Sequence, residues 1–206
     1  SVGDLHQPDM IILPGTKSTI ADLRWLRQCG LEAAIHKAAD AGTLVFGVCG
    51  GYQMLGRTVS DPEQVEAAGT TEILGMGLLE MDTIFLGEKV QAQTTGVFAG
   101  ISGVLSDLNG MSYSGYEIHM GCSEEEMPAL AGTGNVYGSY VHGVFDASGI
   151  SDTIVKALCV RKGIDFDALE TFDVEAYKER QYDLLADAVR SGLDMEFIYR
   201  ALNREL

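Results

Sequence analysis

The sequence predicts a three-layer α/β fold in which a mostly parallel sheet is flanked by helices, with further helices at the C-terminal end. Two apolar runs, at residues 10–13 and 43–48, are continuous rather than alternating, which is typical of strands buried on both faces. A helical pattern follows each run, and alternation of strand and helix favours parallel pairing. Glycine accounts for 25 of the 206 residues and clusters beside the apolar runs, which indicates tight strand-to-helix turns.

The first quarter of the chain contains five predicted elements in close succession. They are a strand at 10–13, a helix from Ser18 or Thr19 to about Cys29, a helix at about 31–41, a strand at 43–48 and a helix from Gly50 to Leu55. Ser18 and Thr19 are residue types whose hydroxyls cap helices. Gly30 and Gly42 follow the first two helices, where glycine commonly ends a helix.

The middle of the chain differs from both ends. Residues 71–98 and 113–145 are rich in β-forming runs broken by glycine and aspartate, so we expect sheet with loops and an antiparallel excursion. Three helices are predicted after it, at 151–162, 174–191 and 195–204, with an apolar stripe in the second of them. No linker composition marks a boundary, so we expect one domain over 1–206.

Composition and charge restrict the possible partners. The 30 acidic and 14 basic residues give a formal net charge of −16, which argues against binding nucleic acid or an anionic membrane surface. No apolar run is long enough to span a membrane, and the first residues lack a signal-peptide pattern. Four cysteines without close spacing predict neither a metal site nor a disulfide framework. We therefore expect a cytoplasmic protein with reduced thiols.

Cys49 is the strongest candidate for a catalytic residue. It is the centre of the sequence GVCGG at residues 47–51, between an apolar strand and a short helix. A nucleophile on such a sharp turn needs small residues two positions before and after it, and Gly47 and Gly51 meet that need. The amino end of the helix favours a thiolate and offers N–H groups to an oxyanion. The alternative is a buried structural cysteine in a glycine-rich turn.

A cysteine nucleophile needs a histidine to carry protons, and the chain has four. His6 lies near the start of the chain, and His36 lies in the middle of a helix among small residues. His142 comes at the end of a predicted strand and before a glycine, where a loop residue can face another strand's end. His142 is therefore the preferred base, and His119 is the second candidate.

These motifs resemble the class I glutamine amidotransferases. GVCGGYQ, at 47–53, resembles the nucleophile turn of that family, which carries a glutamine four positions after the cysteine. LPGTKST, at 13–19, resembles the segment whose glycine amide completes the oxyanion hole. The resemblance is most specific to the glutaminase domains of cobyric acid synthases, and it covers essentially the whole chain. It is carried by four segments, LPGTKSTIADLRWLR, GYEIHMG, GSYVHGVFD and YKERQYDLLADAVRSGLDM.

The resemblance implies a flavodoxin-like fold and a role for each candidate residue. Cys49 would form a γ-glutamyl thioester, and His142 would act as the base. Gly15 and Gly50 would supply the oxyanion-hole amides, and Gln53 would help to bind L-glutamine. His119 becomes a secondary candidate near the site.

The resemblance also implies partners beyond this sequence. Ammonia would pass to an ATP-dependent synthetase domain of the same chain, which would amidate adenosylcobyrinic acid a,c-diamide in cobalamin biosynthesis. ATP and Mg²⁺ would bind to that domain, and no cofactor is expected here. Only nine residues precede the first strand. We therefore expect the sequence to be a fragment that lacks this domain and the first strand and helix of the amidotransferase domain.

One departure from the family pattern leaves alternatives open. Most class I amidotransferases carry a glutamate two positions after the catalytic histidine, where this chain has Val144. His142 would then act in a dyad or be oriented from elsewhere. The alternatives are the glutaminase of cobyrinic acid a,c-diamide synthase, that of a lipid II amidating complex, and a non-catalytic domain that keeps the turn as a relic.

Overall fold

The structure is a computed structural model that describes residues 2–66, 69, 71–122, 128–169 and 174–204, except for the side chains at positions 88, 121, 122 and 175. The chain divides into two compact units, Ser1–Phe166 and Asp167–Leu206. The expectation of one domain over 1–206 stays a prediction.

The first unit alternates strands and helices at its beginning and is mainly β-structure in its middle. Its elements are β1 (Met10–Leu13), α1 (Thr19–Gln28), α2 (Leu31–Asp40), β2 (Leu44–Val48), α3 (Gly50–Leu55), β3 (Thr58–Ser60), β4 (Glu72–Leu74), β5 (Asp82–Val97), β6 (Ser112–Cys122), β7 (Ala131–Thr133), β8 (Val136–Ser139) and α4 (Ile150–Lys162). Short 3-10 helices lie at Val2–Asp4, Gly103–Leu108 and Phe166–Ala168.

The first sheet has the strand order β1-β2-β8-β7 among the described residues. The strands β1, β2 and β8 are parallel, with Ile11 opposite Val45 and Val45 opposite Val136. Only the edge strand β7 runs antiparallel to its neighbour. The prediction of parallel strands at both apolar runs is therefore confirmed, with bounds that agree to within one residue.

Helices cover both faces of this sheet. Phe46 packs in one apolar cluster with Ile150 of α4, whereas its neighbour Val45 packs in another with Leu23 of α1 and Ile35 of α2. Successive side chains of a strand point to opposite faces, so β2 is buried between two layers of helix. This arrangement confirms the predicted three-layer fold class and explains why β2 is apolar throughout.

The second sheet has the strand order β4-β3-β5-β6 among the described residues. It contains the predicted antiparallel excursion, because β3 pairs antiparallel with β4, and β5 pairs antiparallel with β6. The long β5–β6 pairing runs from Val97 opposite Ser112 to Lys89 opposite Met120. It carries β6 past the carboxyl end of the first sheet, where Tyr116 forms an isolated antiparallel bridge with His142.

Helix α1 begins where it was predicted to begin, but its cap is different. The side chain of Ser18, at the N-cap position, makes no capping hydrogen bond. Instead, the carboxylate of Glu66 accepts hydrogen bonds from the N–H groups of Thr19, at 2.5 Å, and Ile20, at 3.0 Å. A carboxylate from a distant loop therefore replaces the predicted hydroxyl cap, and its charge suits the positive end of the helix dipole.

The second unit consists of α5 (Val174–Gly192) and α6 (Met195–Leu202) among its described residues. Both helices agree with prediction, although α6 ends two residues earlier than expected. The apolar stripe of α5 is exposed, since Leu184 and Leu185 keep 55% and 62% of their surface accessible. No helix within the described residues is long and apolar enough to cross a membrane.

Candidate active site

Cys49 lies on the sharp turn between β2 and α3, with φ of 50° and ψ of −111°. A non-glycine residue rarely adopts a positive φ, and such strain is concentrated at functional sites. The flanking glycines make the turn possible. A Cβ atom on Gly47 would lie 2.6 Å from the nitrogen of Tyr52, and one on Gly51 would lie 2.1 Å from the carbonyl oxygen of Leu13. The predicted need for small residues on both sides of Cys49 is confirmed.

Hydrogen bonds from three sides fix the backbone and the sulfur of Cys49. Its N–H donates to the carbonyl of Ser139 at 2.8 Å, and its own carbonyl accepts from the N–H of Gln53 at 3.0 Å. Its Sγ donates to the carbonyl of Ile118 on β6 at 3.5 Å. With 6% of its surface exposed, Cys49 lies in a nearly closed site whose outer wall is β6.

Burial determines the protonation of the Cys49 thiol. It raises the pKa of Cys49 above its ordinary value, the N–H of Gly50 lowers it by a smaller amount, and the charge of Glu117 raises it further. The Gly50 N–H favours the thiolate, as predicted for the helix end, but burial is the larger effect and raises the pKa of Cys49 overall. A thiol that keeps its proton needs a base.

The structure brings His142 and Gly15 to Cys49. A Cβ atom on Gly15 would lie 3.0 Å from Cε1 of His142 and 3.6 Å from Cβ of Cys49. Nε2 of His142 is buried and has no hydrogen-bond partner among the described residues. Burial lowers the pKa of His142, the charge of His119 lowers it further, and the Ile118 carbonyl opposes both. Burial therefore favours the neutral imidazole, which is the form that can accept a proton.

Tyr116 is the aromatic neighbour of His142. Its ring lies parallel to the imidazole, with an interplanar angle of 5° and centroids 5.1 Å apart. The two backbones are also paired, since the His142 N–H donates to the Tyr116 carbonyl at 2.8 Å and the Tyr116 N–H donates back at 3.2 Å. Val144 is buried in an apolar cluster at 2% exposure. No local pattern in the segment YEIH, at 116–119, indicates a role for Tyr116.

Gln53 braces the inner wall of the site. Its side chain is buried, and its Oε1 accepts a hydrogen bond from the Thr19 hydroxyl at 3.2 Å. Its Nε2 donates to the carbonyl of Met120 at 3.1 Å. Both ends of the amide thus join α1 to β6 across the site, and binding of glutamine by Gln53 stays a prediction.

His119 also lies at the site, on β6. Its ring stacks on Tyr140 with centroids 4.1 Å apart, and its Nε2 is 3.4 Å from a carboxylate oxygen of Glu117. It lines the same cavity as Cys49. The structure therefore brings the secondary candidate to the site, as the sequence analysis expected.

A cavity of about 420 Å³ opens beside Cys49. Its lining comprises Thr16, Lys17, Ser18, Thr19, Cys49, Gln53, Val65, Glu66, Phe85, Lys89, Ile118, His119 and Met120. Its charged lining residues have both signs, since Lys17 and Lys89 are basic and Glu66 is acidic. Within the described residues, no group of three or more His, Cys, Asp or Glu side chains could hold a metal ion.

Comparison with known proteins places the chain in a family. The CobB/CobQ-like glutamine amidotransferase domain family matches residues 1–150. The chain belongs to this family. The cobyric acid synthase of Lachnoclostridium phytofermentans is 49% identical over 98% of this chain and 44% of its own length. That of Ruminiclostridium cellulolyticum is 44% identical over 97% of this chain and 42% of its own length. The chain thus spans less than half of these curated relatives.

A solved structure has a similar fold to this CobB/CobQ-like domain. A crystal structure described as a glutamine amidotransferase matches it with a TM-score of 0.51 at 16% identity, covering 80% of this chain and 84% of the other. At that identity the likeness concerns the fold alone. The predicted class I glutamine amidotransferase fold is confirmed.

The amidotransferase domain contains a second group of site residues that sequence reasoning missed. Glu66, which caps α1, is itself held by Asp61, whose carboxylate accepts from the N–H groups of Val65 at 2.8 Å and Glu66 at 3.0 Å. Asp61 is fully buried. No local pattern could have connected these residues to α1, because 47 positions separate Glu66 from Thr19.

Proposed function

We propose that this chain is the glutaminase part of a cobyric acid synthase and hydrolyses L-glutamine through a thioester on Cys49. The observation that carries the proposal is the meeting of Cys49, Gly15 and His142 at one point, with Cys49 on a strained turn beside a cavity. A buried thiol on a strained turn, next to a neutral histidine, is the arrangement that acyl transfer requires.

The first half of the reaction makes the thioester. The Cys49 sulfur attacks the γ-carboxamide carbon of glutamine while its proton passes to His142, and the carbonyl electron pair moves onto oxygen. The amides of Gly15 and Gly50 stabilise this oxyanion, and one such donor contributes about 3 kcal/mol. The C–N bond then breaks, and His142 gives its proton to the departing nitrogen, which leaves as ammonia.

The second half releases glutamate. His142 takes a proton from a water molecule while the water oxygen attacks the thioester carbon. The C–S bond then breaks, and His142 returns the proton to the Cys49 sulfur. The same imidazole therefore acts as base and acid twice in each cycle. Its lowered pKa suits this role, because the imidazole must be neutral before each attack.

The cavity suits a zwitterionic amino acid. Lys17 and Lys89 provide positive charge for an α-carboxylate, and Glu66 provides negative charge for an α-ammonium group. Gln53 fixes the wall between α1 and β6 against which the substrate side chain would lie. We therefore expect L-glutamine to bind with its γ-amide directed at Cys49.

The proposed partner of this glutaminase is a synthetase domain of the same chain. It would use ATP and Mg²⁺ to amidate adenosylcobyrinic acid a,c-diamide in the cytoplasm, and neither cofactor would bind to the residues of this sequence. The curated relatives support this acceptor over cobyrinic acid or lipid II, because those at 49% and 44% identity are cobyric acid synthases. The net charge of −16 would not attract a polycarboxylate corrinoid here.

The test uses the full-length protein that contains this sequence. Cys49→Ala should abolish glutamine hydrolysis and glutamine-dependent amidation of the corrinoid, while amidation supplied with ammonium salt continues. Cys159→Ala is the matched control, because Cys159 is equally buried, at 6% exposure, but lies in α4. A glutamine-analogue diazoketone should label Cys49, as detected by mass spectrometry of its peptide.

Each outcome distinguishes one part of the proposal. Glutamine hydrolysis that survives Cys49→Ala would overturn the assignment of Cys49 as the nucleophile. An unlabelled Cys49 in a full-length protein without glutaminase activity would favour the alternative of a non-catalytic domain. A labelled and active site that does not support amidation of adenosylcobyrinic acid a,c-diamide would assign the glutaminase to a different acceptor.

A further inference from the structure

The pairing of Cys49 with His142 does not by itself explain what holds the His142 imidazole in its orientation. Position 144 holds a buried valine, so no carboxylate comes from there. Nε2 of His142 has no hydrogen-bond partner among the described residues. A base must nevertheless stay within hydrogen-bond reach of the proton it abstracts, and small misplacements are costly.

The Ile118 carbonyl accepts a hydrogen bond from the edge of the imidazole, and Tyr116 constrains its face. Tyr116 stacks on it at 5.1 Å with an interplanar angle of only 5°. The reciprocal backbone hydrogen bonds between the same two residues fix the separation of the two backbone segments that carry the rings. Gly115 keeps this approach close, since a Cβ atom there would lie 2.2 Å from the His142 carbonyl oxygen.

The exposure of Tyr116 indicates that stability alone does not explain its position. Tyr116 keeps 48% of its surface accessible, and it is not among the residues that line the cavity beside Cys49. Its ring is therefore not part of the buried core. Among the described residues, its ring stacks on the imidazole of His142.

We propose that Tyr116 is a positioning residue of His142, and that its stacked ring holds the imidazole plane from one face. The inference rests on the proposed glutaminase function. Tyr116 acts through His142 and touches no reacting atom. The ring is what matters for stacking, and the hydroxyl is dispensable.

The test compares Tyr116→Phe with Tyr116→Leu and Tyr116→Thr in the full-length protein. Tyr116→Phe should keep kcat for glutamine hydrolysis near the wild-type value. The other two should lower kcat about 10- to 100-fold, the cost of a misplaced catalytic group, with little change in KM for glutamine. Two replacements guard against one that fails to fold, and circular dichroism checks the folding of each.

The pH dependence of kcat/KM adds a measurement that should not change if Tyr116 had a purely structural role. His119 on β6 is a charged group that acts on His142, and Glu117 lies 3.4 Å from His119. Cys49 at the turn and Asp146, whose carboxylate lies near Gly143, are further titratable groups nearby, and all four stay in the variants. Removing the Tyr116 ring exposes the imidazole to water, so its pKa should rise toward its ordinary value. The acid limb of kcat/KM should therefore move to higher pH in Tyr116→Leu but not in Tyr116→Phe.

Tyr113→Leu is the matched control, because Tyr113 lies on the same strand but stacks on Phe98, at 4.8 Å. It should lower stability while kcat and the acid limb keep their wild-type values. Wild-type kcat in both Tyr116→Leu and Tyr116→Thr would overturn this inference alone. A wild-type protein without glutaminase activity would overturn the proposed function and this inference with it.

Discussion

Gly15 lies directly against the imidazole of His142, because a Cβ atom on this glycine would be only 3.0 Å from Cε1. The same atom would be 3.6 Å from Cβ of Cys49. Gly15 does not have a positive φ, so its backbone would accept alanine. Glycine is therefore required here for the space that it leaves beside the catalytic pair, rather than for its conformational freedom.

Gly15→Ala should consequently lower catalysis more than stability. The added methyl group displaces the imidazole by a few tenths of an ångström, and we expect kcat for glutamine hydrolysis to fall about tenfold, which corresponds to about 1.4 kcal/mol. The measurement is steady-state release of glutamate by the full-length protein. Gly87→Ala is the control, because among the described residues a Cβ atom there would meet the Glu63 carboxylate at an ordinary contact distance of 3.4 Å. Equal kcat for both variants would contradict the prediction.

Gly51→Ala should act on the fold. Its Cβ atom would lie 2.1 Å from the carbonyl oxygen of Leu13 and 2.8 Å from the Leu13 Cβ, so α3 would have to move away from β1. Such overpacking typically costs 1–3 kcal/mol, and we expect a loss of about 3 kcal/mol in the free energy of unfolding, measured by urea denaturation. Gly87→Ala should change it by less than about 1 kcal/mol. A Gly51→Ala protein as stable as the wild type would show that α3 can shift freely.

The parts of this structure that follow local rules could be predicted from the sequence. The continuous apolar runs identified β1 and β2, because a strand buried between two helical layers leaves no room for polar residues. The glycines around Cys49 identified the turn for a similar reason, since the close approach of Leu13 and Tyr52 excludes side chains. His142 was favoured because parallel strands end at the same edge of the sheet.

The parts that depend on distant contacts could not be predicted. Burial and the charge of Glu117 on β6 raise the pKa of Cys49, and the Ile118 carbonyl of the same strand accepts a hydrogen bond from the sulfur. No spacing near residue 49 indicates that strand. The stacking of Tyr116 on His142 likewise depends on the β5–β6 pairing that brings β6 to the first sheet. Helix α1 takes its cap from Glu66 rather than from the adjacent Ser18 for the same reason.

Glu66→Ala should destabilise the amino end of α1. The N–H groups of Thr19 and Ile20 would lose their acceptor, and the loss of such a cap costs about 1 kcal/mol in the free energy of unfolding. Glu66→Gln should cost less, because its amide oxygen still accepts one of the two hydrogen bonds. Urea denaturation measures both, with Glu179→Ala on the exposed face of α5 as the control. A Glu66→Ala protein with unchanged stability would contradict the capping role.

The pH dependence of glutamine hydrolysis should reflect the lowered pKa of His142. Only the neutral imidazole accepts the thiol proton, and the imidazole becomes protonated as pH falls through its pKa. Burial and His119 hold that pKa below the ordinary 6.5, so kcat/KM should stay on its plateau as pH falls past 6.5 and decline only at lower pH. An acid limb centred above pH 6.5 would contradict the burial of His142 that the structure shows.

The charge of His119 should affect the position of the acid limb of kcat/KM. His119→Asn removes the positive charge that contributes to the lowering, so the pKa of His142 should rise and the acid limb should move toward pH 6.5. The shift should be partial, because burial is the larger cause and remains. His36→Asn, on α2, is the matched control and should leave the limb where it is. If both variants kept the wild-type profile, His119 would not affect the protonation of His142.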